Sequence, residues 1–309
     1  MTTIHSPVLY QQFVEKMSTE SPKNTRQKDL TIPKFHRRIM VLDTESSGLM
    51  PKHKPGTAFP PIEAYPHIMQ FSWILYNVLT NEIEETVNEY VKIPKTTEIS
   101  KESIAVHKIT REIVEEKGKP IVPLLSRFFE AYMKCDCIVA HNLHFDGELV
   151  RKEMWRNRKE LDAKIKVPDR VNMMCGVFTK KFNAAYHIDT FCTMMNTVEL
   201  CGIEFAKKPD VGFDSDSKKP DVGFDSEGEV SVERPKIALV SHPIANENTR
   251  KKFPRLIELY RKLFDDVLPS DLHNSIIDVL VCLRCFLKVR GVKELSESDF
   301  YALIEKYSR

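Results

Sequence analysis

The stretch RIMVLDTESSGLM, residues 38 to 50, decides how this chain is read. An apolar run, Ile39 to Leu42, ends in two acids one residue apart, Asp43 and Glu45, followed by Ser46, Ser47 and Gly48. A short apolar run bounded by polar residues is the pattern of a buried strand. Residues i and i+2 of a strand project from the same face, so a strand that persists to Glu45 sets two carboxylates side by side. Their repulsion is costly without a cation. The plainer alternative is that both acids belong to a solvated loop after the strand.

Composition narrows the class only coarsely. A chain of 309 residues with 42% hydrophobic and 29% charged residues can bury a substantial core, as one large domain or two small ones. The formal charge of +2 rules out a global basic field. A nucleic-acid partner would have to be held by local patches, such as Lys34, Arg37 and Arg38 or Arg250, Lys251 and Lys252. Seven cysteines without the spacing of a disulfide framework fit a reducing compartment. The pairs Cys135/Cys137 and Cys282/Cys285 sit in an apolar strand and a helical pattern, and no Cys/His quartet completes a zinc site. There is no signal core and no run near the roughly 20 apolar residues of a membrane helix, so the expectation is a soluble, intracellular protein without a membrane partner.

Residues 1–36 read as a polar N-terminal tail, 37–290 as the main domain and 291–309 as a C-terminal helical extension. Three successive strand patterns, in IMVLD, YPHIMQFSWILYNV and EIEETVNEYVKI, predict an antiparallel start to a sheet. Helical pieces, the buried strand CIVAHN, a helix opening at Asp146 and a further strand in AAYHIDTFC follow. Two helical segments, FPRLIELYRKLF and DLHNSIIDVLVCLRCFLKV, come last. The fold class is therefore α/β, a mixed sheet with helices on its faces. KKPDVGFDSDS at 207–217 is nearly repeated as KKPDVGFDSEG at 218–228. Two polar copies are too few to build a repeat fold, so 206–235 reads as a loop insertion.

Two more acids stand out. Asp146 begins a helical pattern, where an N-cap is the ordinary role of Asp. Asp278 lies within SIIDVLVCL among apolar neighbours, and a buried carboxylate without a partner costs several kcal/mol or takes up a proton. No lysine or arginine is placed to satisfy it. A shared divalent ion would satisfy Asp43, Glu45, Asp146 and Asp278 together, and an all-carboxylate set selects Mg2+ or Mn2+. Two such ions, roughly 3.5 to 4 Å apart, can serve phosphodiester hydrolysis. His273 precedes Asp278 by five residues and would sit at the helix entrance, as a base near neutral pH or as a surface histidine.

Taken in order, DTESSG, HNLHFD and HNSIID resemble the three motifs of the DEDDh, or DnaQ-like, 3′-to-5′ exonucleases, the family of the proofreading epsilon subunit of bacterial DNA polymerase III. SIAVHKIT, residues 103 to 110, is similar to a segment these enzymes carry between the first two motifs. The resemblance spans about 37–290. It implies a ribonuclease H-like fold, with Asp43, Glu45, Asp146 and Asp278 as ligands of two Mg2+ or Mn2+ ions and His273 as general base. It also implies that Ser46, Ser47, Gly48 and Leu49 line the pocket of the terminal nucleotide, with His107 and Asn142 close by. The stretch from Arg156 to Tyr186 and the duplicated loop exceed a compact family member. Asp189 falls outside the motifs and reads as structural.

The expected activity is release of nucleoside monophosphates from single-stranded 3′ ends, DNA favoured over RNA, in replication or repair. The alternative is a catalytically silent nucleic-acid-binding module or an adaptor for a polymerase or another protein.

Overall fold

The structure, a computed structural model, describes residues 36–53, 56–204, 251–265, 269 and 272–308. The expected tail (1–36, of which only His36 is described), the loop insertion 206–235 and its duplication lie outside the described residues.

Among the described residues five strands form one sheet: β1 (Arg38–Ser46), β2 (Ile68–Asn77), β3 (Glu82–Tyr90), β4 (Cys137–Ala140) and β5 (Asp189–Cys192), in the order β3-β2-β1-β4-β5. β1, β2 and β3 pair antiparallel, whereas β4 and β5 run parallel to β1. The helices are α1 (Lys101–His107), α2 (Arg111–Lys117), α3 (Ile121–Tyr132), α4 (Leu143–Arg156), α5 (Arg158–Lys164), α6 (Arg170–Gly176), α7 (Lys180–Ala185), α8 (Thr193–Asn196), α9 (Val198–Cys201), α10 (Leu256–Leu263), α11 (Ser275–Arg290) and α12 (Glu297–Ser308). This is the ribonuclease H-like mixed sheet flanked by helices.

Helices cover both faces of the sheet, and every residue of β2 is buried. One face packs Met40, Leu42, Phe71 and Trp73 against Phe128 of α3 and Leu149 of α4. The other packs Ile39, Val41, Ile74 and Tyr76 against α10 and α11. α11 is apolar on nearly all sides because it is sandwiched between the sheet and α10 and α12. Leu295, Phe300 and Ile304, from the segment 291–309, enter that same core.

The long stretch after Arg156 folds into the short helices α5, α6 and α7. The strand expected within AAYHIDTFC is confined to Asp189–Cys192, with Asp189 accepting from His36 Nε2 at 2.7 Å. All seven cysteines are free thiols.

Candidate active site

The alternation of β1 assigns each side chain at its end to one face or the other. Ile39 and Val41 belong to the core under α11, and Met40 and Leu42 to the core under α3 and α4. The same parity turns Asp43 and Glu45 toward α11 and Thr44 and Ser46 toward α4. A bulge between Glu45 and Ser46 shifts the pairing with β2 at this point. Asp278 meets the strand acids from the first turn of α11: oxygens of Asp43, Glu45 and Asp278 all lie within 4.8 Å of one another. Ser275, fully buried at the start of α11, ties helix to strand by donating its hydroxyl to the Asp43 carbonyl at 2.9 Å.

Asp146 stands just outside that trio and arrives from the other face. The helix does not open at Asp146 as its sequence suggests. α4 begins at Leu143, with Asn142 as N-cap in the left-handed region at φ 78°. Asp146 lies one turn in, and its carboxylate serves β1 instead of its own helix end. Its Oδ1 accepts from the Thr44 amide at 3.0 Å and the Thr44 hydroxyl at 2.7 Å. The residue between the two strand acids thus holds the third motif acid in place, a role that parity alone hints at in the sequence.

Burial and mutual repulsion dominate the electrostatics. Burial raises the Asp43 carboxyl to about 6. Glu45 is pushed up to about 9, first by burial and then by the charges of Asp43, Asp278 and Asp146. Asp146 and Asp278 are both held well above the usual carboxylate range by burial and then by Asp43. Asp43 Oδ2 is buried with no hydrogen-bond partner. Among the described residues no lysine or arginine forms an ion pair with any of the four. A crowded all-oxygen donor set, with Asp43 Oδ2 left without a partner, fits a hard divalent cation.

His273 lies on the turn before α11, with φ 75° and an exposed side chain. Its amide donates to Asp278 Oδ2 at 3.2 Å, so the turn is tied to the acid cluster. His107 is buried at the end of α1 and contacts Ser46 O through Nε2 at 3.1 Å, while its Nδ1 accepts from the Ile109 amide at 3.0 Å. That arrangement fixes a neutral ring with Nε2 as donor, and burial lowers its pKa. The hydroxyls of Ser46 and Ser47 are engaged by the protein itself: Ser46 Oγ donates to Gly48 O at 2.8 Å, and Ser47 Oγ accepts from the His67 amide at 3.0 Å. Gly48 has open space where a Cβ would be, and Leu49 is 83% exposed, so these two form the accessible part of the motif loop. The sequence reading missed Thr44, Ser275 and the buried Gln70, whose side chain reaches the turn of His273.

A protein-family model described as Exonuclease (RNase_T) matches residues 40–199. Among solved structures, one of exonuclease I, whose structure is said to suggest how processivity is achieved, is similar at 14% identity and a TM-score of 0.50, over 87% of this chain and 42% of that one. A structure of E. coli exonuclease I with a dT13 oligonucleotide is similar at 15% identity and a TM-score of 0.49, over 82% of this chain and 41% of that one. A 3′-exonuclease with histone mRNA stem-loop recognition matches at 19% identity and a TM-score of 0.30, over 40% of this chain and 42% of that one. This chain therefore spans less than half the length of the exonuclease I chains, and the likeness at such identities is one of fold. None of the curated proteins matches. No helix among the described residues is long and apolar enough to cross a membrane.

Proposed function

The chain belongs to the exonuclease family whose model matches residues 40–199, and from that premise we propose that it is a metal-dependent 3′-to-5′ exonuclease releasing nucleoside monophosphates from single-stranded nucleic acid, with DNA preferred over RNA. The observation that carries the reading is the gathering of Asp43, Glu45 and Asp278 oxygens within 4.8 Å of one another, with Asp43 Oδ2 buried and without a hydrogen-bond partner. With Asp146 anchored to Thr44 beside them, these acids would hold two Mg2+ or Mn2+ ions. When bound, such ions supply activation of water and stabilisation of the leaving oxygen.

The remaining work falls to the chain itself. His273, exposed beside Asp278, accepts the proton of the attacking water. Gly48 and Leu49 receive the terminal nucleotide. Ser46, Ser47 and His107 shape that loop from beneath, and Asn142 turns the chain into the helix that bears Asp146. A single-stranded end is favoured because the terminal nucleotide must leave its pair to reach half-buried carboxylates set between the sheet and α11. The body that does this runs over 37–290 and is completed by the helix of 291–309.

The test is digestion of matched 5′-labelled single-stranded DNA and RNA by wild type and Asp146→Asn, with Mg2+, Mn2+ or chelator. Asn preserves the oxygen that Thr44 holds and removes the charge. The expected result is a metal-dependent ladder shortening from the 3′ end, faster on DNA and lost in the variant. Binding of either strand without any metal-dependent product would move the chain to the class of silent binding modules and adaptors.

A further inference from the structure

On the buried face shared with Asp43 and Glu45, β2 and β3 carry a set of uncharged polar side chains. Gln70 is opposite Glu45 in the strand register and Ser72 is opposite Asp43, with Asn88 opposite Ser72 on β3. Gln70 is 3% exposed and Ser72 is fully buried, so each polar atom there needs a partner. Asn88 Oδ1 accepts from Ser72 Oγ at 2.9 Å and from Gln70 Nε2 at 2.8 Å. Gln70 Nε2 also donates to Asn274 Oδ1 at 3.2 Å.

Asn274 is the N-cap of α11, yet its side chain makes no capping hydrogen bond. Asn is favoured at this position because its side-chain oxygen ordinarily caps its own helix. Here that oxygen is diverted into the sheet. The residue before it is His273, a non-glycine residue in the left-handed region, a conformation that persists only where its surroundings hold it. Two pins hold this one: the His273 amide on Asp278, and the Asn274 side chain on Gln70.

We propose that Gln70 is a positioning residue: its carboxamide, braced by Asn88, fixes Asn274 and so the turn that presents His273 to the carboxylates. The inference rests on the hydrolase reading, in which His273 takes the proton. Gln70 itself touches no reacting atom. Its side chain reaches the turn from a different element, across the sheet, and so holds the turn in register with the strand that carries Asp43 and Glu45.

The experiment uses the full chain saturated with Mg2+ and a labelled single-stranded DNA. Gln70→Leu and the half-buried Asn274→Leu each lower kcat roughly 10- to 100-fold with KM within about 2-fold, the scale of a reacting group displaced by about 1 Å. The double variant is no slower than the slower single, because both cut one link. In parallel, selective 13C labelling of histidine reads the backbone of His273 through its Cα and Cβ shifts, which move in Gln70→Leu and in Asn274→Leu. Loss of core packing without a change at the turn would lower thermal stability and leave those shifts in place.

Full kcat in both single variants, with unmoved His273 resonances, overturns the inference while the hydrolase reading stands. Slow turnover with additive effects and unmoved resonances also overturns it. A wild type that yields no product with either metal sinks the hydrolase reading, and this inference falls with it. Should Gln70→Leu fail to fold, Asn274→Leu at the helix cap carries the same test.

Discussion

Thr44 gives both its amide and its hydroxyl to a single oxygen of Asp146, at 3.0 and 2.7 Å. The strand acids on either side of Thr44 point to the opposite face, so this pair is the seam between the two halves of the site. Thr44→Val keeps the shape and removes the hydroxyl donor. It is expected to cost about 0.5 to 1.5 kcal/mol of stability, the net scale of a typical intramolecular hydrogen bond. Turnover should fall roughly 10-fold as Asp146 loosens, in line with the sensitivity of reacting groups to placement. Urea unfolding and steady-state assays check both, and a variant equal to wild type in each would deny the seam its role.

The raised carboxyl pKa values predict how metal-free protein responds to pH. Asp43 is raised to about 6 and Glu45 to about 9, in each case first by burial. Above pH 4 the folded state therefore holds protons that the unfolded chain has released, and stability falls as pH rises through about 6 and on toward 9. Divalent cation should oppose that loss, so Mg2+ or Mn2+ raises Tm more at pH 8 than at pH 5, with protons released on binding. Calorimetry in buffers of different ionisation enthalpy reads the released protons directly; a metal-induced Tm shift equal at both pH values would contradict the account.

Asp278→Asn separates stability from activity. In metal-free protein at pH 8 the substitution removes a buried acid whose ionisation burial and then Asp43 oppose, while the amide oxygen can still accept from the His273 amide. Tm is expected to rise and hydrolysis to drop at least roughly 100-fold. A variant that is less stable than wild type under these conditions would show that the trio is not strained by its own charge.

His141 titrates in the opposite sense. Burial pulls its pKa down to about 4, although Nε2 contacts Pro254 O at 3.0 Å and Nδ1 contacts Thr193 Oγ1 at 2.9 Å. The unfolded chain thus binds the extra proton first, and stability drops as pH falls from about 6.5 toward 4. In metal-loaded protein, His141→Gln should flatten that acid limb relative to wild type. Equal slopes for the two would remove His141 as its cause.

Much of this was legible because the chemistry is written in periodicities. The apolar run before Asp43 and the residues Ser46, Ser47 and Gly48 after the acids locate β1, and Asp278 within an apolar helix demands a partner wherever the fold puts it. The segment after Arg156 was opaque because α5, α6 and α7 are short helices of mixed composition that carry little apolar period. The opening of α4 was misplaced by three residues, since Asp reads as a cap, whereas the structure spends Asp146 on Thr44 and lets Asn142 make the turn. Nothing local links Gln70 to Asn274, which are 204 residues apart. Only the closing of the sheet against α11 brings them together.

β1 sends alternate residues into two separate cores, and its last four side chains divide between them in the same way. The carboxylates consequently converge only after both layers have closed on the strand, one bringing Asp146 and the other Asp278. Such a centre is a coincidence detector for folding: a nascent or partly melted chain with one layer in place presents three of the four acids and lacks the last. Completeness of the carboxylate set and completeness of the fold are, in this molecule, a single variable.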